Sequence, residues 1–584
     1  MRILRRNVEA QSGSLPDSLH PVLARVYRAR EVDGPADLDY ALERLHRFDA
    51  LGGLERAVAI LESALDDKNR VLVVGDYDAD GATACAVALR GLRMLGFDDV
   101  TYLVPNRFEY GYGLTPEIVQ VAAGLEPDVL ITVDNGISSV SGTAAAAAHG
   151  IRVVITDHHL PGAVLPEAAA IVNPNLPGDG FPSKCLAGVG VMFYLLIALR
   201  ARLREAGKLA DGNANLGKLL DLVALGTVAD VVPLDRNNRI LVYQGLRRIR
   251  AGAACPGITA LLEIASRDPR NISAADLAFA AAPRLNAAGR LDDISVGIEC
   301  LLSDDAEAAR NIARRLDAFN RERRTIESGM DTEAMAHLQD LRLDSASGTP
   351  FGVVLFDESW HPGVVGIVAS RIKDRTHRPV IAFAPEDESS VKGSARSIAG
   401  VHIRDAIEAV ATANAGLVDR FGGHAMAAGL SLKRVHLPRF REAFDAQIRS
   451  LLKGTPPDGV IYSDGPLEAE DLGLELARVL REGGPWGQGF PEPVFDGEFH
   501  VTERRIVGDR HLKLRLAHPD ASRPIDAIAF NTVDDEWPDD VCRVNVVYRL
   551  DVNTYRGIDR AQLIVEHVEP LINLEGNRMM STPE

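Results

Sequence analysis

Acidic residues and histidines follow three short apolar runs of the sequence, each at the point where the run ends. The run VLVVG (71–75) precedes DYDADG, VLITV (129–133) precedes DNG, and IRVVIT (151–156) precedes DHH. The side chains concerned are Asp76, Asp78, Asp80, Asp134, Asp157, His158 and His159, with Asp230 at the end of a separate apolar pattern. Because ligands bind at the carboxyl ends of the strands of an open parallel sheet, we expect these side chains to meet at one edge.

Such a cluster favours divalent cations. Neighbouring carboxylates repel one another and are costly to desolvate, and bound cations would resolve both problems. Two ions about 3.5–4 Å apart are the usual arrangement for in-line displacement at phosphorus. Mixed oxygen and nitrogen ligation suits Mn²⁺, or Mg²⁺ where the histidine interacts weakly. Each motif alone also has a structural interpretation, because Asp is a common turn former and N-cap. A calcium-type loop starting at Asp76 would need Glu at its twelfth position, which is Val87 here.

The elements that must position these residues follow a β-α-β rhythm. The three apolar runs are short enough to be strands buried on both faces, and helical patterns such as 83–95 and 141–150 separate them. This alternation predicts an open parallel sheet. Further buried helices are predicted at 185–203 and 216–234, and one long helical pattern at 305–338 predicts a connector between domains.

The remainder of the chain predicts two more folding units. FGVVLF (351–356) and RPVIAFA (378–384) are predicted strands of a second α/β unit, with helices near 363–374 and 402–413. After TPPDG (455–459), several short runs alternate apolar and polar residues, which is typical of a small antiparallel OB-fold barrel. The predicted fold class is therefore multidomain α/β with a C-terminal antiparallel barrel.

Composition limits the possible functions. The chain has 584 residues and a net charge of −18, which excludes a protein that binds nucleic acid through an overall basic field. Five scattered cysteines without a CxxC pair fit a reducing compartment. The N-terminus has no apolar signal region, and no run approaches the roughly 18 apolar residues of a membrane span. We expect a soluble, cytoplasmic protein.

The ordered motifs resemble a known family. GDYDADG, VDNG, TDHH and VAD, in that order, resemble the DHH phosphoesterase superfamily, and within it the bacterial RecJ single-strand-specific exonucleases. APRLNAAGR (282–290), SWHPGVVGIVASR (359–371), GSARS (393–397) and GGHAMAAG (422–429) agree with that family. The residue pattern of 1–50 predicts a helical segment without chemical motifs. The resemblance, which covers roughly residues 50–575, implies a DHH domain 51–303, a connecting helix 304–342, a DHH-associated domain 343–454 and an OB-fold domain 455–584.

The resemblance also implies an activity. It is 5′→3′ hydrolysis of single-stranded DNA to mononucleotides with Mn²⁺ or Mg²⁺, in DNA repair and recombination. A metal-activated water would attack, so that no Ser or Cys nucleophile is needed. As partners we expect single-stranded DNA, a single-strand-binding protein and a helicase, with no membrane and the chain a monomer.

Residue roles carry over by position. The residues that match the family's metal ligands are Asp78, Asp80, Asp134, His158 and Asp230, with Asp134 bridging. Asp76 is either a ligand or a group behind the ligands. Asp157 would orient its neighbours, and His159 would contact the scissile phosphate.

Other residues are candidates for binding DNA phosphates. They are Asn106, Arg107, Arg284, Asn286, Arg290, His361, Ser394, Arg396, Ser397, Gly422, Gly423 and His424. Glycine-rich segments with arginine can form an anion nest, and the resemblance points to the 5′ end of the DNA. A surface ion pair for Arg107 and a domain-interface contact for the loop 284–290 are the alternatives.

Two basic patches stand out in this acidic chain. Arg310, Arg314, Arg321 and Arg324 would form one stripe on the connecting helix, and Arg504, Arg505, Arg510, Lys513 and Arg515 cluster in the barrel. The stripe binds DNA or is a salt-bridged solvent face. Two other functions remain open: a small-substrate phosphodiesterase, and a non-catalytic scaffold.

Overall fold

The computed structural model describes residues 1–7, 14–104, 113–209, 214–340, 350–455, 457, 459–508, 511–530, 532 and 542–571, with the side chains of 337–340 left out. Its contacts divide the chain into two compact units. The smaller unit contains 1–2, 286–293 and 314–460, and the larger unit contains 3–285, 294–313 and 461–584. Both are mixed α/β, as the sequence predicts.

The strands in chain order are β1 (Arg2–Arg5), β2 (Val71–Gly75), β3 (Val100–Leu103), β4 (Val129–Val133), β5 (Arg152–Thr156), β6 (Ala170–Val172), β7 (Val353–Phe356), β8 (Val380–Pro385), β9 (Ser390–Arg396), β10 (Arg420–Gly423), β11 (Ala427–Lys433), β12 (Val460–Ser463), β13 (Phe495–Val507), β14 (His511–Ala517), β15 (Ile525–Ala529), β16 (Arg543–Tyr555) and β17 (Ile558–Pro570).

The α-helices are α1 (Pro21–Arg28), α2 (Leu54–Asp66), α3 (Ala79–Met94), α4 (Pro116–Ala123), α5 (Val140–Ala148), α6 (Gly188–Glu205), α7 (Leu220–Ala229), α8 (Arg236–Arg250), α9 (Pro256–Ile264), α10 (Ala274–Asp276), α11 (Ala282–Leu291), α12 (Ser295–Leu302), α13 (Ala306–Asp340), α14 (Val365–Thr376), α15 (Ile403–Ala413), α16 (Leu437–Leu451) and α17 (Leu474–Glu482). A π-helical turn, Leu277–Ala281, joins α10 to α11.

A five-stranded parallel sheet of order β3-β2-β4-β5-β6 forms the centre of the larger unit. All residues of β2 and β4 are buried, which explains why their sequences are continuously apolar. Residues of α4 and α5 pack on this sheet in one hydrophobic cluster. Helix α3 contacts β2 and β4, and α6 contacts β4 and β5. The β-α-β prediction is confirmed.

The C-terminal part of the larger unit is a closed barrel of order β13-β14-β15-β17-β16. Inward-facing residues of β14 alternate with half-buried ones, as the period-two pattern predicts. The expected OB-fold barrel is therefore confirmed, but it is not wholly antiparallel, because β15 and β17 pair in parallel.

The N-terminal segment, which carries no motif, is fixed to residues 464–492 within the larger unit. Arg30 donates to both carboxylate oxygens of Asp464, at 2.9 and 3.0 Å, and its guanidinium lies over the Trp486 ring. The side chains of Arg30 and Asp464 are 2% and 0% exposed. Tyr27 donates its hydroxyl to Gly483 C=O. The segment is thus part of the folded unit.

The smaller unit has a mixed sheet of order β10-β11-β9-β8-β7. Only β7 and β8 are parallel, whereas β9, β10 and β11 pair antiparallel. The sequence predicts the two parallel strands but not the three antiparallel ones. Their sequences are rich in Gly and Ser, which hides the usual strand pattern.

Candidate active site and metal centre

The predicted cluster assembles at the carboxyl edge of the parallel sheet. Strands β2, β4 and β5 are adjacent, so the residues directly after them converge. His158 Nε2 lies 3.1 Å from Asp134 Oδ1 and 3.4 Å from Asp230 Oδ2. Asp230 reaches the cluster from the C-terminus of α7, where its backbone N–H donates to Gly226 C=O.

Backbone geometry at the end of β4 brings Asp134 into place. Asp134 has φ +61°, which is uncommon for a residue with a side chain, and Gly136 follows at +113°. Buried Asn135 donates to the carbonyls of Val74 and Val133 and so ties the ends of β2 and β4 together. The VDNG motif contains Asn135, but only its aspartate is predicted from the sequence as a functional residue.

Asp80 is held by the N-terminus of α6. The backbone N–H groups of Gly188 and Val189 donate to its two carboxylate oxygens, at 2.6 and 3.0 Å. A Cβ on Gly188 would lie 2.5 Å from Cβ and Oδ1 of Asp134, so this helix can approach only because residue 188 is glycine. Gly188 is not predicted from the sequence, because nothing local connects it to a motif 108 positions earlier.

The other two aspartates of DYDADG have local backbone bonds as well. Asp78 caps α3 by accepting from Gly81 N–H at 2.9 Å, and Asp76 accepts from Tyr77 N–H. The structural interpretation of Asp78 as an N-cap is therefore correct, and it is compatible with ligation through the remaining lone pairs.

Burial and mutual repulsion disfavour the charged forms of these carboxyls. Burial, together with the charge of Asp78, raises the pKa of Asp76 to about 8 and that of Asp80 to about 7. Burial and the charges of Asp80 and Asp78 hold the pKa values of Asp134 and Asp230 well above the ordinary range. Positive charge at the site would therefore stabilise the ionised cluster.

The donor set fits divalent cations. Asp134 Oδ1 and Asp230 Oδ2 are buried, yet neither accepts a hydrogen bond from a described residue. Three groups of potential ligand atoms lie within 4.8 Å of one another: Asp134 with His158 and His159, Asp80 with His158 and Asp230, and Asp76 with Asp78 and Asp134. Asp134 and His158 each belong to two of the groups. Oxygen-rich donors with histidine suit Mn²⁺ and, less strongly, Mg²⁺.

Asp157 and His159 form a pair beside the cluster. Burial alone would lower the pKa of His159, but the bond and the charge of Asp157 raise it to about 9. Burial opposes ionisation of Asp157, and the bond from His159 nevertheless lowers its pKa. The pairing with Asp157 therefore favours the protonated form of His159, which is suited to contact a phosphate oxygen.

The candidate phosphate-binding residues lie in different parts of the chain. Asn106 and Arg107 lie outside the described residues. Arg284 is buried in the larger unit, where it donates to Ala280 C=O. Arg290 belongs to the smaller unit and donates to Gly363 C=O at 3.0 Å, and Asn286 is half-buried in that unit.

The expected small-residue loop at 284–290 is wrong, because these residues belong to α11. Ala and Leu are strong helix formers, and a single glycine in a helix costs only about 1 kcal/mol. The motif therefore presents its side chains from a helix.

The smaller unit brings its motif residues together through strand pairing. Arg396 pairs with Ala427, Ser394 pairs with Gly429, and Gly423 pairs with Ala428. Arg396 donates to Ser394 Oγ and Ala395 C=O, and burial lowers the pKa of its guanidinium.

The flanking motif residues have backbone partners. Gly422 is exposed, and the backbone N–H of His424 donates to Ala427 C=O. His361 Nδ1 accepts from Gly363 N–H. Ser397 is buried and its hydroxyl donates to Val401 C=O, so it is bonded within the fold and we leave it out of the phosphate site.

The barrel carries the clearest basic surface. A groove of about 620 Å³ is lined by Glu503, Arg504, Arg505, Lys513, Leu514, Arg515, Asp526 and Arg560. Five of these eight residues are cationic, but Arg515 pairs with Glu503 at 3.2 Å and Lys513 lies 4.0 Å from Asp526, so two of the five charges are partly neutralised. Arg510 and the acidic run 534–540 lie outside the described residues.

The stripe on α13 is partly neutralised. Arg310 pairs with Glu263 at 3.4 Å, and Arg321 pairs with Asp317 on its own helix. A salt-bridged face accounts for these two arginines.

Comparison with known proteins agrees with this architecture. The N-terminal domain of the DHH family matches residues 70–227, the DHHA1 domain matches 348–450, and the RecJ OB domain matches 463–567. These matches define the class of the protein as a DHH-family protein with the associated DHHA1 domain. In the described residues, no helix is both long and apolar enough to cross a membrane.

Individual relatives show which family within the DHH proteins the chain belongs to. The chain is 53% identical over 572 residues to the single-stranded-DNA-specific exonuclease RecJ of Dickeya dadantii, covering 97% of this chain and 99% of that protein. It is 49% identical to RecJ of Escherichia coli with the same coverage. The crystal structure of RecJ with Mn²⁺ from Thermus thermophilus is 33% identical, with a TM-score of 0.77 over 96% of this chain and 77% of that one. The chain belongs to the RecJ family.

Proposed function

We propose that this chain is a metal-dependent exonuclease that degrades single-stranded DNA in repair and recombination. The observation that carries the proposal is the Asp134–His158–Asp230 cluster, in which Asp134 is buried and the other two side chains are partly buried. Its carboxylate oxygens lie within 3.4 Å of His158 Nε2 and accept no hydrogen bond from the part of the chain that the structure describes. Full-length identity to RecJ proteins and the solved RecJ structures with Mn²⁺ and Mg²⁺ support the activity and its cofactors.

The residues divide the work by position. Asp78, Asp80, Asp134, His158 and Asp230 would hold two divalent ions, and Asp76 would serve as a further ligand or a support behind them. When bound, the ions polarise the scissile phosphate and lower the pKa of a coordinated water. His159, held as a cation by Asp157, would donate a hydrogen bond to a phosphate oxygen where negative charge develops.

The 5′→3′ direction of hydrolysis would follow from a second phosphate site, separate from the metal cluster. We assign Ser394, Arg396, Gly422, Gly423, His424 and His361 to the terminal 5′-phosphate, since strand pairing gathers the first four on one sheet and His424 directly follows β10. Binding of that end would give 5′→3′ hydrolysis to mononucleotides. Arg284, Asn286 and Arg290, and Asn106 and Arg107 in the segment outside the described residues, remain proposals for backbone contacts.

The barrel favours a polymer over a small substrate. A phosphodiesterase of dinucleotides needs no basic groove of about 620 Å³ in a separate barrel, whereas a single strand needs a surface for its backbone. The domain division at 51, 304, 343 and 455, a monomeric state, partnership with a single-strand-binding protein and a helicase, and a cytoplasmic location belong to the same proposal. The five free cysteines are compatible with that location.

Digestion of end-labelled DNA tests the proposal. Single strands labelled at either end, a blunt duplex and a dinucleotide are incubated with the protein and Mn²⁺. We expect stepwise loss from the 5′ end of the single strand, with the duplex spared. Cleavage of the dinucleotide alone would show that the protein is a small-substrate phosphodiesterase. The same assay with Asp134→Asn is the control for a contaminating nuclease.

A further inference from the structure

Val231 combines three features that packing does not explain. It directly follows Asp230, it is 62% exposed, and its backbone lies in the left-handed region at φ +61°. Among the described non-glycine residues with positive φ, it is the only β-branched one. A branched Cβ makes this conformation costly, and glycine is the usual residue at the first position after a helix. Because the Val231 side chain is exposed, its packing in the fold offsets little of this conformational cost.

The backbone around Val231 is held firmly. Asp230 ends α7, and Leu234 N–H donates to Gln488 C=O at 2.7 Å. Pro233, which is exposed, lies against Gly489. The strained residue is thus presented to solvent by a fixed segment, next to a carboxylate of the metal centre.

A second exposed apolar residue lies beside the cluster, in the segment that follows β5. Leu160 directly follows His159 and is 61% exposed. The preceding backbone is fixed, because Asn173 and Asn175 donate side-chain N–H groups to the carbonyls of His159 and His158, at 2.9 and 2.6 Å. We call Val231 and Leu160 the apolar lip of the site.

We propose that the apolar lip packs against the nucleoside attached to the scissile phosphate. This inference rests on the proposed function. A phosphodiester whose phosphate reaches the cluster brings a deoxyribose and a base within reach of residues one position from Asp230 and His159. The deoxyribose and the base each present an apolar face in every nucleotide. Packing against these faces therefore does not depend on the DNA sequence. Such contact also adds affinity that does not depend on charge, beside a cluster that repels phosphate when no cation is bound.

Steady-state degradation of a single-stranded oligonucleotide with Mn²⁺ tests the lip. Val231→Asn removes the apolar surface, and Asn adopts positive φ more readily than Val. We expect a KM about five-fold higher, a similar kcat and an unchanged or higher melting temperature. Val231→Ile keeps the apolar contact and should keep the KM of the wild type. Leu160→Ser should raise KM in the same way.

Two further readouts separate this contact from a general defect. The slope of log KM against log salt should be the same for Val231→Asn and the wild type, because no phosphate contact is lost. Val121, which is 41% exposed on α4, gives the matched control: Val121→Asn should leave KM unchanged.

The outcomes are distinct. A wild type that does not degrade single strands would overturn the proposed function itself. An active wild type with unaltered KM in Val231→Asn and Leu160→Ser would overturn the lip alone. A Val231→Asn protein that is unfolded, or that changes the salt slope, would also overturn it, since Val231 would then act through the fold or through charge.

Discussion

His159 Nδ1 lies 2.7 Å from Asp157 Oδ1. Asp157 also accepts from the backbone N–H groups of His158, His159 and Ile137. One buried carboxylate therefore fixes both the turn that carries a metal-ligand candidate and the ring proposed to contact the phosphate.

This relationship predicts non-additive mutations. His159→Gln removes the cation and should lower kcat by about 10²- to 10³-fold. Asp157→Asn should lower kcat substantially, because His159 loses its partner, and the double variant should be little slower than His159→Gln alone. Rates at saturating single-stranded DNA for the wild type, the two single variants and the double variant give the double-mutant cycle. His149→Gln, at an exposed position, serves as the control. Fully additive losses would show that the two residues act separately.

Asp134→Asn should uncouple stability from metal binding. Loss of one buried carboxylate relieves repulsion, so the melting temperature in EDTA should stay the same or rise. The increase that Mn²⁺ gives the wild type should disappear, together with hydrolysis. Glu205→Gln, at the exposed end of α6, should keep both the metal response and the activity. Near-normal hydrolysis by Asp134→Asn would remove Asp134 from the metal centre.

Gly188→Ala should weaken metal binding through displacement of Asp134. The new Cβ would meet that side chain at 2.5 Å, whereas a Cβ at Gly190 would first meet the movable Leu186 side chain at 3.0 Å. We expect Gly188→Ala to need a several-fold higher Mn²⁺ concentration for half-maximal activity and for half-maximal thermal stabilisation. Gly190→Ala is the matched control. Equal Mn²⁺ requirements in the two variants would refute this role of Gly188.

Arg396→Ala should reduce discrimination between 5′ ends. Its guanidinium is half-buried beside Ser394, within the motif residues of the mixed sheet. The ratio of kcat/KM for 5′-phosphate over 5′-hydroxyl single strands should fall about ten-fold or more, since a charged hydrogen bond to phosphate is lost. Exposed Arg441→Ala on α16 should leave the ratio unchanged. An unaltered ratio in Arg396→Ala would take this residue out of the 5′ site.

Arg30→Met should destabilise the larger unit by about 3 kcal/mol, because buried Asp464 loses both hydrogen bonds from Arg30 and keeps Arg6 at 3.6 Å as its cationic partner. The double change Arg30→Met with Asp464→Leu should cost less. Denaturant unfolding measures both free energies. A double variant as unstable as the sum of the single variants would show that the ion pair is not the reason.

The sequence predicts those site residues that come directly after the end of a strand. Asp76, Asp134 and Asp157 can be placed together, because buried parallel strands have continuous apolar sequences and end at one edge. Gly188 cannot, since its role depends on the close approach of α6 to Asp134.

Two other features show where local patterns mislead or are silent. Gly and Ala around Arg284 and Arg290 suggest a loop that a backbone approaches closely, whereas helix propensity decides the conformation there. The anchoring of Arg30 depends on a partner 434 positions away, which no local pattern reveals.

A crystal structure with Mn²⁺, measured at the manganese absorption edge, tests whether the acidic cluster holds two metal ions. We expect two anomalous peaks about 3.5–4 Å apart. Asp134 would bridge them, with Asp80, His158 and Asp230 around one and Asp76 or Asp78 near the other. A single peak elsewhere on the protein, or none at the carboxyl edge of the parallel sheet, would contradict this expectation.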